Sequence, residues 1–352
     1  MKRVLFLTGH VPASRRGAYA ALGARLPLEL VLYGGRHQHG APPAAPPSSV
    51  LTRQVHQREI AGIIARGEYS AVIAGTGGRL ALPLAWRATR TKDLPFIFWA
   101  ALWHTPRTPA HVAALPLMRR IYRESAAVVT YGPHVSAYVE ARGAHRTFVA
   151  HQAVDNAFWA EPLAIAREER FRVLFVGRGE RAKGLAVLLD AWQQSHLAAT
   201  GAVLTLVGAR GEPLTGVEFA GQLDPHALRN LYAHSHVVAV PSIPTRRFVE
   251  PWGLVVNEAM NRECAVIASD AVGAAAGGLV RDGHNGLIVP AGDPGALAAA
   301  LRELASDPVR CRRLGRTGRM DVASYTYSAW ADAFVAAIEA VGERSIAGSV
   351  GL

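Results

Sequence analysis

The 352-residue chain is predicted to be an α/β protein made of two doubly wound, Rossmann-like halves. Short apolar runs bounded by turn residues alternate with segments of helical spacing, the pattern of parallel strands joined by crossover helices. The alternation lapses once, over a charged connector from Asp155 to Arg170, and then begins again. A chain of this length is long for one core and comfortable for two.

In the first half, Val4–Thr8, Leu28–Tyr33, Ala71–Ala74, Phe96–Trp99, Val128–Tyr131 and Thr147–Ala150 read as strands. Between them, Gln54–Arg66 and Val112–Glu124 carry apolar residues at helical spacing. Gly40–Ser49, with its four prolines, is expected to be an exposed loop, because proline fixes φ and removes a backbone donor. In the second half the strands are Phe171–Val176, Ala202–Val207, Val217–Ala220, Val237–Val240, Ala265–Ser269 and Gly286–Val289. Tyr327–Val341 reads as a closing amphipathic helix that crosses back to the first half. The expected domains are 1–160, 168–325 and a C-terminal helix over 327–345. Ligands of such sheets sit at the carboxyl ends of the strands, and there the two halves are expected to face each other across a cleft.

Composition narrows the function. The longest apolar stretch, Leu94–Trp103, is far short of the ~20 residues of a spanning helix. The N-terminal apolar run stops at Leu7, below the ~7 to 15 residues of a signal core, and reads as a buried strand. Cys264 and Cys311 are the only cysteines; they make no disulfide framework and fit no metal-site spacing, which predicts a cytoplasmic protein with no metal site. The formal net charge is +11, yet the basic residues are scattered rather than massed in a tract, so no nucleic-acid partner is expected. A basic face also attracts phosphate-bearing or membrane-surface acceptors. His111–Arg123 mixes apolar residues with three arginines; a helix packed on the first sheet is the commoner explanation of that mixture, and a helix lying on the inner face of a membrane is the alternative.

Phe171–Gly177 is a buried strand leading into a turn, and Gly184–Trp192 a helix after it. Arg178 and Lys183 flank the loop between, so both cations can converge on an anion beyond the strand end. Lys183 is one of only three lysines in a chain that otherwise uses arginine. Gly177-Arg178-Gly179 lacks the third glycine of a dinucleotide fingerprint, with Ala182 in its place, and no acidic residue clearly follows on a second strand. Downstream, a helix starting near Trp252 or Gly253 places Glu250 at its mouth and Glu258 more than a turn inside. The first amides, of Trp252, Gly253 and Leu254, are then available to an anion or to sugar hydroxyls. Carboxylates are bidentate acceptors suited to vicinal hydroxyls. The plainer reading has Glu250 complementing the helix dipole and Glu258 solvated.

Taken in order, these residues resemble glycosyltransferase family 4, with its two-domain GT-B fold. The resemblance runs from Phe171 to about Gly318: Phe-Val-Gly-Arg178 with Lys183-Gly184, Leu-Val-Gly208, Phe-Ala-Gly221 with Leu231-Tyr232, Val-Pro-Ser242, the two glutamates with Glu258-Ala-Met, Ala-Val-Ile-Ala-Ser269, Asp282-Gly-His-Asn-Gly286 and Asp293. It implies a retaining, metal-independent hexosyltransferase without a cofactor, taking a UDP- or GDP-linked sugar as donor substrate and a saccharide, glycolipid or other small acceptor. Arg178 and Lys183 would hold the diphosphate, Glu258 the ribose, Glu250 the hydroxyls of the transferred sugar, and the amides near Gly253 and Leu254 the sugar or phosphate. In the first half, Gly17 falls where the family has a glycine pair approaching the diphosphate, and His104 where it has a histidine facing the donor sugar. Three departures stand out: a single glycine at Gly17, Thr105 where an acidic residue follows the histidine, and Gly278 in place of a glutamate before Leu279-Val280. They keep open a non-catalytic nucleotide-sugar-binding protein, beside an epimerase or phosphorylase of the same fold.

Overall fold

A computed structural model describes residues 2–34, 44–163 and 170–347, the last five of these by backbone only. The chain divides into two compact units, Met1–Thr105 with Pro109–Ala153 and Thr326–Leu352, and Pro106–Thr108 with Val154–Tyr325.

Unit 1 is a seven-stranded parallel sheet in the order β3-β2-β1-β4-β5-β6-β7. Its strands are β1 (Arg3–Thr8), β2 (Leu28–Leu32), β3 (Leu51–Gln54), β4 (Tyr69–Gly75), β5 (Phe96–Ala100), β6 (Ala127–Thr130) and β7 (Thr147–Val149). Helices α1 (Arg16–Gly23), α2 (Ile60–Arg66), α3 (Ala81–Thr91), α4 (Pro109–Glu124) and α5 (Pro133–Glu140) make the crossovers. The central strands are buried on both faces, which is why they read as unbroken apolar runs. Strand β3 has no such run: it is an edge strand, Leu-Thr-Arg-Gln, with no buried residue, so sequence periodicity merges its end with the helix after it. That helix is shorter than expected, beginning only at Ile60 after a 3₁₀ turn over Gln57–Glu59.

Helix α4 departs from the expected packed helix over most of its length. Of its sixteen residues only Ile121 and Tyr122, in the last turn, are buried, while Val112 and Leu117 are exposed. The expected proline-rich loop lies partly outside the described residues; from 44 onward it is neither helix nor strand.

Unit 2 has six parallel strands in the order β10-β9-β8-β11-β12-β13. The unit opens with a one-turn helix, α6 (Asn156–Ala160), inside the expected connector, where the Asp155 carboxylate accepts from the Phe158 amide at 3.0 Å. Residues 164–169 of that connector lie outside the described residues. The strands are β8 (Arg172–Val176), β9 (Val203–Val207), β10 (Val217–Gly221), β11 (Val237–Val240), β12 (Ala265–Ser269) and β13 (Gly286–Val289). The helices are α7 (Leu185–Ser195), α8 (Pro225–His234), α9 (Leu254–Asn261), α10 (Gly273–Ala276), α11 (Pro294–Ser306) and α12 (Pro308–Val322). A core of Leu188, Trp192, Leu204, Leu206, Ile267, Leu301 and Leu314 fills the space between α7, α11, α12 and the sheet.

The last helix, α13 (Tyr327–Ala347), belongs to unit 1. Trp330 and Phe334 on it pack among Phe6, Tyr19 and Trp99, with ring centroids 4.4 to 6.5 Å apart. Such aromatic pairs add ~0.5–1.5 kcal/mol each beyond their area burial. Among the described residues no helix is long and apolar enough to cross a membrane.

Candidate functional site

The order of the second sheet reverses between β8 and β11, the two strands that leave the centre in opposite directions. Loops after such a pair separate over the carboxyl edge of the sheet and leave room for a ligand. Arg178 and Lys183 follow β8; Ser242 and Glu250 follow β11.

The two loops are pressed together. The Ile243 amide donates to the Ala182 carbonyl at 3.0 Å, and Gly184 turns with φ +71° beneath Pro241. A Cβ at Gly184 would collide with the Pro241 carbonyl oxygen, so both the backbone sign and the space demand glycine. This contact holds Lys183 at the edge, where its ammonium is ion-paired with the Glu250 carboxylate. The Ser242 hydroxyl donates to the same carboxylate oxygen at 3.4 Å, and the Ser269 hydroxyl in turn donates to the Ser242 carbonyl. Glu250 is 8% exposed, so this carboxylate is a buried, compensated charge and not a surface ornament of the helix dipole.

The segment after Glu250 is stitched to the loop after β12. Glu250 and Val272 form an isolated parallel bridge; the Gly273 amide donates to the Glu250 carbonyl at 3.0 Å and the Ala274 amide to the Trp252 carbonyl at 2.8 Å. Gly273 has to lack a side chain, because a Cβ would collide with the Pro251 carbonyl. Trp252 is buried, and its indole donates to Asn257 Oδ1 at 2.8 Å, tying the approach segment to the helix it enters. Gly253 caps α9 at φ +92°, which starts the helix at Leu254. Gly253 lies against Glu250, where a Cβ would come 3.7 Å from Glu250 Cγ, and the first amides of α9 have no acceptor within the helix.

Glu258 sits in the second turn of α9. It accepts from the fully buried Tyr232 hydroxyl at 2.7 Å, and burial pushes its carboxyl up to about 7, with the tyrosine bond opposing that rise. It is not the solvated helix residue of the plainer reading. Arg178 pairs with Glu180 at 2.8 Å and remains substantially exposed. In this structure each of the two cations thus faces a carboxylate, and an incoming anion would have to draw them away.

Of the residues singled out by sequence, the structure pairs Lys183 with Glu250; Trp252, Gly253 and Leu254 follow Glu250 into α9, and Glu258 lies one turn along that helix. Gly17 and His104 belong to unit 1. Gly17 lies in the first turn of α1, and a Cβ there would strike the Tyr327 ring, which gives this glycine a packing reason. His104 is half-buried in a bend after β5, and its neighbour Thr105 shares a hydrogen bond of 2.8 Å with the Tyr138 hydroxyl. Gly278 adopts φ +86° with open space around it, beside a cavity of about 290 Å³ lined by Arg281, Asp321 and Tyr325. A glutamate in that left-handed backbone would be strained, so the departure from the family pattern has a conformational reason. Sequence reasoning gives no role to Ser242, Ser269, Tyr232 and Asn257. Their only signal is that Ser242, Ser269 and Tyr232 fall inside the family-like motifs; that each touches a neighbouring loop or glutamate is a tertiary fact.

Solved structures share this architecture over nearly the whole chain. A glycosyltransferase from Rickettsia africae superposes with a TM-score of 0.75 at 14% identity, covering 97% of this chain and 98% of its own. Anabaena HepE in complex with UDP gives 0.69 at 17% identity, covering all of both chains. Likeness at these identities speaks to the fold, which is the GT-B fold of two parallel-sheet α/β units. Among curated proteins, the chain is 33% identical over 179 residues to the phosphatidyl-myo-inositol mannosyltransferase of Mycobacterium leprae, covering 48% of this chain and 46% of that one. It is 34% identical over 208 residues to the alpha-maltose-1-phosphate synthase of Mycolicibacterium smegmatis, covering 49% and 51%. The chain spans about half the length of the curated relatives it matches. Residues 170–307, which hold all six strands of the second sheet and Lys183, Glu250 and Glu258, match the family model of the Glycosyl transferases group 1.

Proposed function

We propose that this protein is a retaining glycosyltransferase that moves a hexose from a nucleotide diphosphate sugar, UDP-linked first and GDP-linked second, to a glycan or glycolipid acceptor. The observation that carries the reading is the Lys183–Glu250 pair at the strand-order reversal of unit 2, beside the start of α9 and inside the segment that matches the family model. Relatives named as a mannosyltransferase and a maltose-1-phosphate synthase, and a structural neighbour solved with UDP, support the donor class.

In this reading the donor diphosphate takes Lys183 from Glu250 and Arg178 from Glu180. Each freed charge is then put to use, as the cations neutralise the diphosphate when it leaves and Glu250 accepts hydrogen bonds from hydroxyls of the transferred sugar. Glu258 accepts from the ribose hydroxyls, and the amides of Gly253 and Leu254 hold a phosphate or sugar oxygen. The departing phosphate deprotonates the acceptor on the face it leaves, which retains the anomeric configuration without a carboxylate nucleophile. The resemblance would give His104 the part of the histidine that faces the donor sugar. No metal ion or cofactor is called on, since fixed cations supply the charge. The exposed apolar and arginine-bearing turns of α4 support contact with an acidic membrane face, consistent with a glycolipid acceptor made at the cytoplasmic side.

The test is a transfer assay with UDP-glucose and GDP-mannose over a panel of saccharide and glycolipid acceptors, reading released nucleotide. Acceptor-dependent release that drops at least ~100-fold in Glu250→Ala and in Lys183→Ala, with folding intact, is the expected result. Wild-type rates in both variants would remove these residues from the site; release that ignores the acceptor would remove the transferase.

A further inference from the structure

The turn that enters α9 is held from one further direction. Asn257 and Asn261 stand one turn apart on the same face of that helix, and both are buried, at 0% and 2% exposure. Amide side chains in such positions are costly unless their hydrogen bonds are met, and here they are met in series. The Trp252 indole donates to Asn257 Oδ1 at 2.8 Å. The Asn261 amide nitrogen donates to the Asn257 carbonyl at 2.9 Å and to Asn156 Oδ1 at 2.8 Å, which uses both of its protons. Arg319, on α12, donates to Asn261 Oδ1 at 3.0 Å. Asn156, the first residue of α6, donates in turn from its amide nitrogen to the Val322 and Tyr325 carbonyls at 3.4 and 3.3 Å. The series closes on itself, because the Tyr325 ring lies 6.0 Å from the Trp252 ring.

Two features give this network more than a packing role. At one end it gathers both ends of the main stretch of unit 2, Val154–Tyr325: Asn156 stands two residues past its start, and Tyr325 is its last residue. At the other end it holds Trp252, whose successor Gly253 turns at φ +92° to start α9. A glycine in that region has no side chain to lock its direction, so the way the first amides of the helix point depends on how Trp252 is anchored. The Trp252 carbonyl is fixed by the Ala274 amide at 2.8 Å, and its indole by the asparagines. A buried polar network that is satisfied at every member specifies one arrangement, and loss of a remote member is felt along it.

We infer that Asn156 and Asn261 are positioning residues for the donor site: acting through Asn257 and Trp252, they set the turn that presents the Gly253 and Leu254 amides, and they tie that turn to the two ends of unit 2. That the turn receives a nucleotide sugar rests on the transferase reading; that the asparagines set the turn does not.

The experiment follows the Trp252 indole N–H resonance in the isotope-labelled full chain, identified by its loss in Trp252→Phe, beside a calorimetric titration with UDP. Wild type is compared with Asn156→Ala, with Asn261→Leu as a second variant from the buried end of the network, and with Leu301→Ala. Asn156 is half-buried in a one-turn helix and is none of the residues given to the donor. Leu301→Ala opens a cavity in the core of the same unit and controls for lost stability alone. The proposal expects both asparagine variants to move the indole resonance and to weaken UDP by about fivefold, while Leu301→Ala melts earlier and changes neither. An indole that stays in place in both asparagine variants, a UDP affinity that stays at the wild-type value although the indole moves, or an equal loss in Leu301→Ala overturns it. If the indole moves and UDP does not bind even to wild type, the donor reading fails while the asparagines stand as the device that sets this turn; if UDP binds and the indole stays in place, the reverse holds.

Discussion

At the scale of single residues, the site is a set of charges that burial makes conditional. Lys183→Ala leaves Glu250 buried without its counter-charge and is expected to cost about 2 kcal/mol, less than a fully buried pair because the lysine keeps a quarter of its side chain exposed. Removing both charges with Lys183→Met/Glu250→Gln should restore most of that stability without restoring transfer, and a double-mutant cycle on urea midpoints and on rates checks both halves of the statement. Glu258 carries a different signature. Its carboxyl titrates at about 7 in the folded chain against an ordinary 4.5, so the folded state holds the extra proton and stability falls as pH rises from about 4.5 to about 7. Glu258→Gln keeps an acceptor for Tyr232 and removes that loss. It should melt at a higher temperature than wild type at pH 8, by about 1 kcal/mol of stability, and lose the advantage at pH 4.5. The same variant should bind UDP about tenfold more weakly at pH 8, since an ionised carboxylate is the better acceptor for ribose hydroxyls. A variant that melts earlier than wild type at pH 8 would contradict this.

At the scale of elements, what matters is how closely loops from neighbouring strands approach. Gly184→Ala places a methyl group against the Pro241 carbonyl in a left-handed backbone and should cost about 3 kcal/mol or more. Gly278→Ala has the same backbone sign with open space and should cost only about 1 kcal/mol. Chemical denaturation of the two variants compares collision with conformation directly. These contacts also mark where sequence reading stops. The apolar runs announce β1, β5 and β12 because strands buried on both faces leave no polar position to interrupt them. They miss β3, whose residues face solvent at the sheet edge, and leave open whether α4 packs along its length, because an exposed helix and a packed one share the same spacing. The spacing of Glu250 and Glu258 puts both near one helix start, yet nothing local shows that Lys183, 67 residues away, pairs with the first, or that Tyr232 binds the second.

At the scale of the molecule, each unit is a separate sheet with its own core, and α13 completes the first from the far end of the chain. Its amphipathic pattern is legible in the sequence; its partners Phe6, Tyr19 and Trp99 are not, being more than 200 residues distant along the chain. Trp330→Ala should remove about 3–5 kcal/mol from unit 1. Nucleotide binding, assigned wholly to unit 2, should survive that loss, as seen by comparing a melting curve with a UDP titration. The central claim is that the edge of the second sheet, around Lys183, Glu250 and Glu258, holds a nucleotide diphosphate. It is tested most directly by calorimetric titration of the protein with UDP, GDP and ADP, each with and without a chelator, on wild type and Lys183→Ala. The account predicts that one of the nucleotides binds regardless of chelator and that its affinity falls at least tenfold in the variant. Binding of none of them, or equal binding by both proteins, would contradict it.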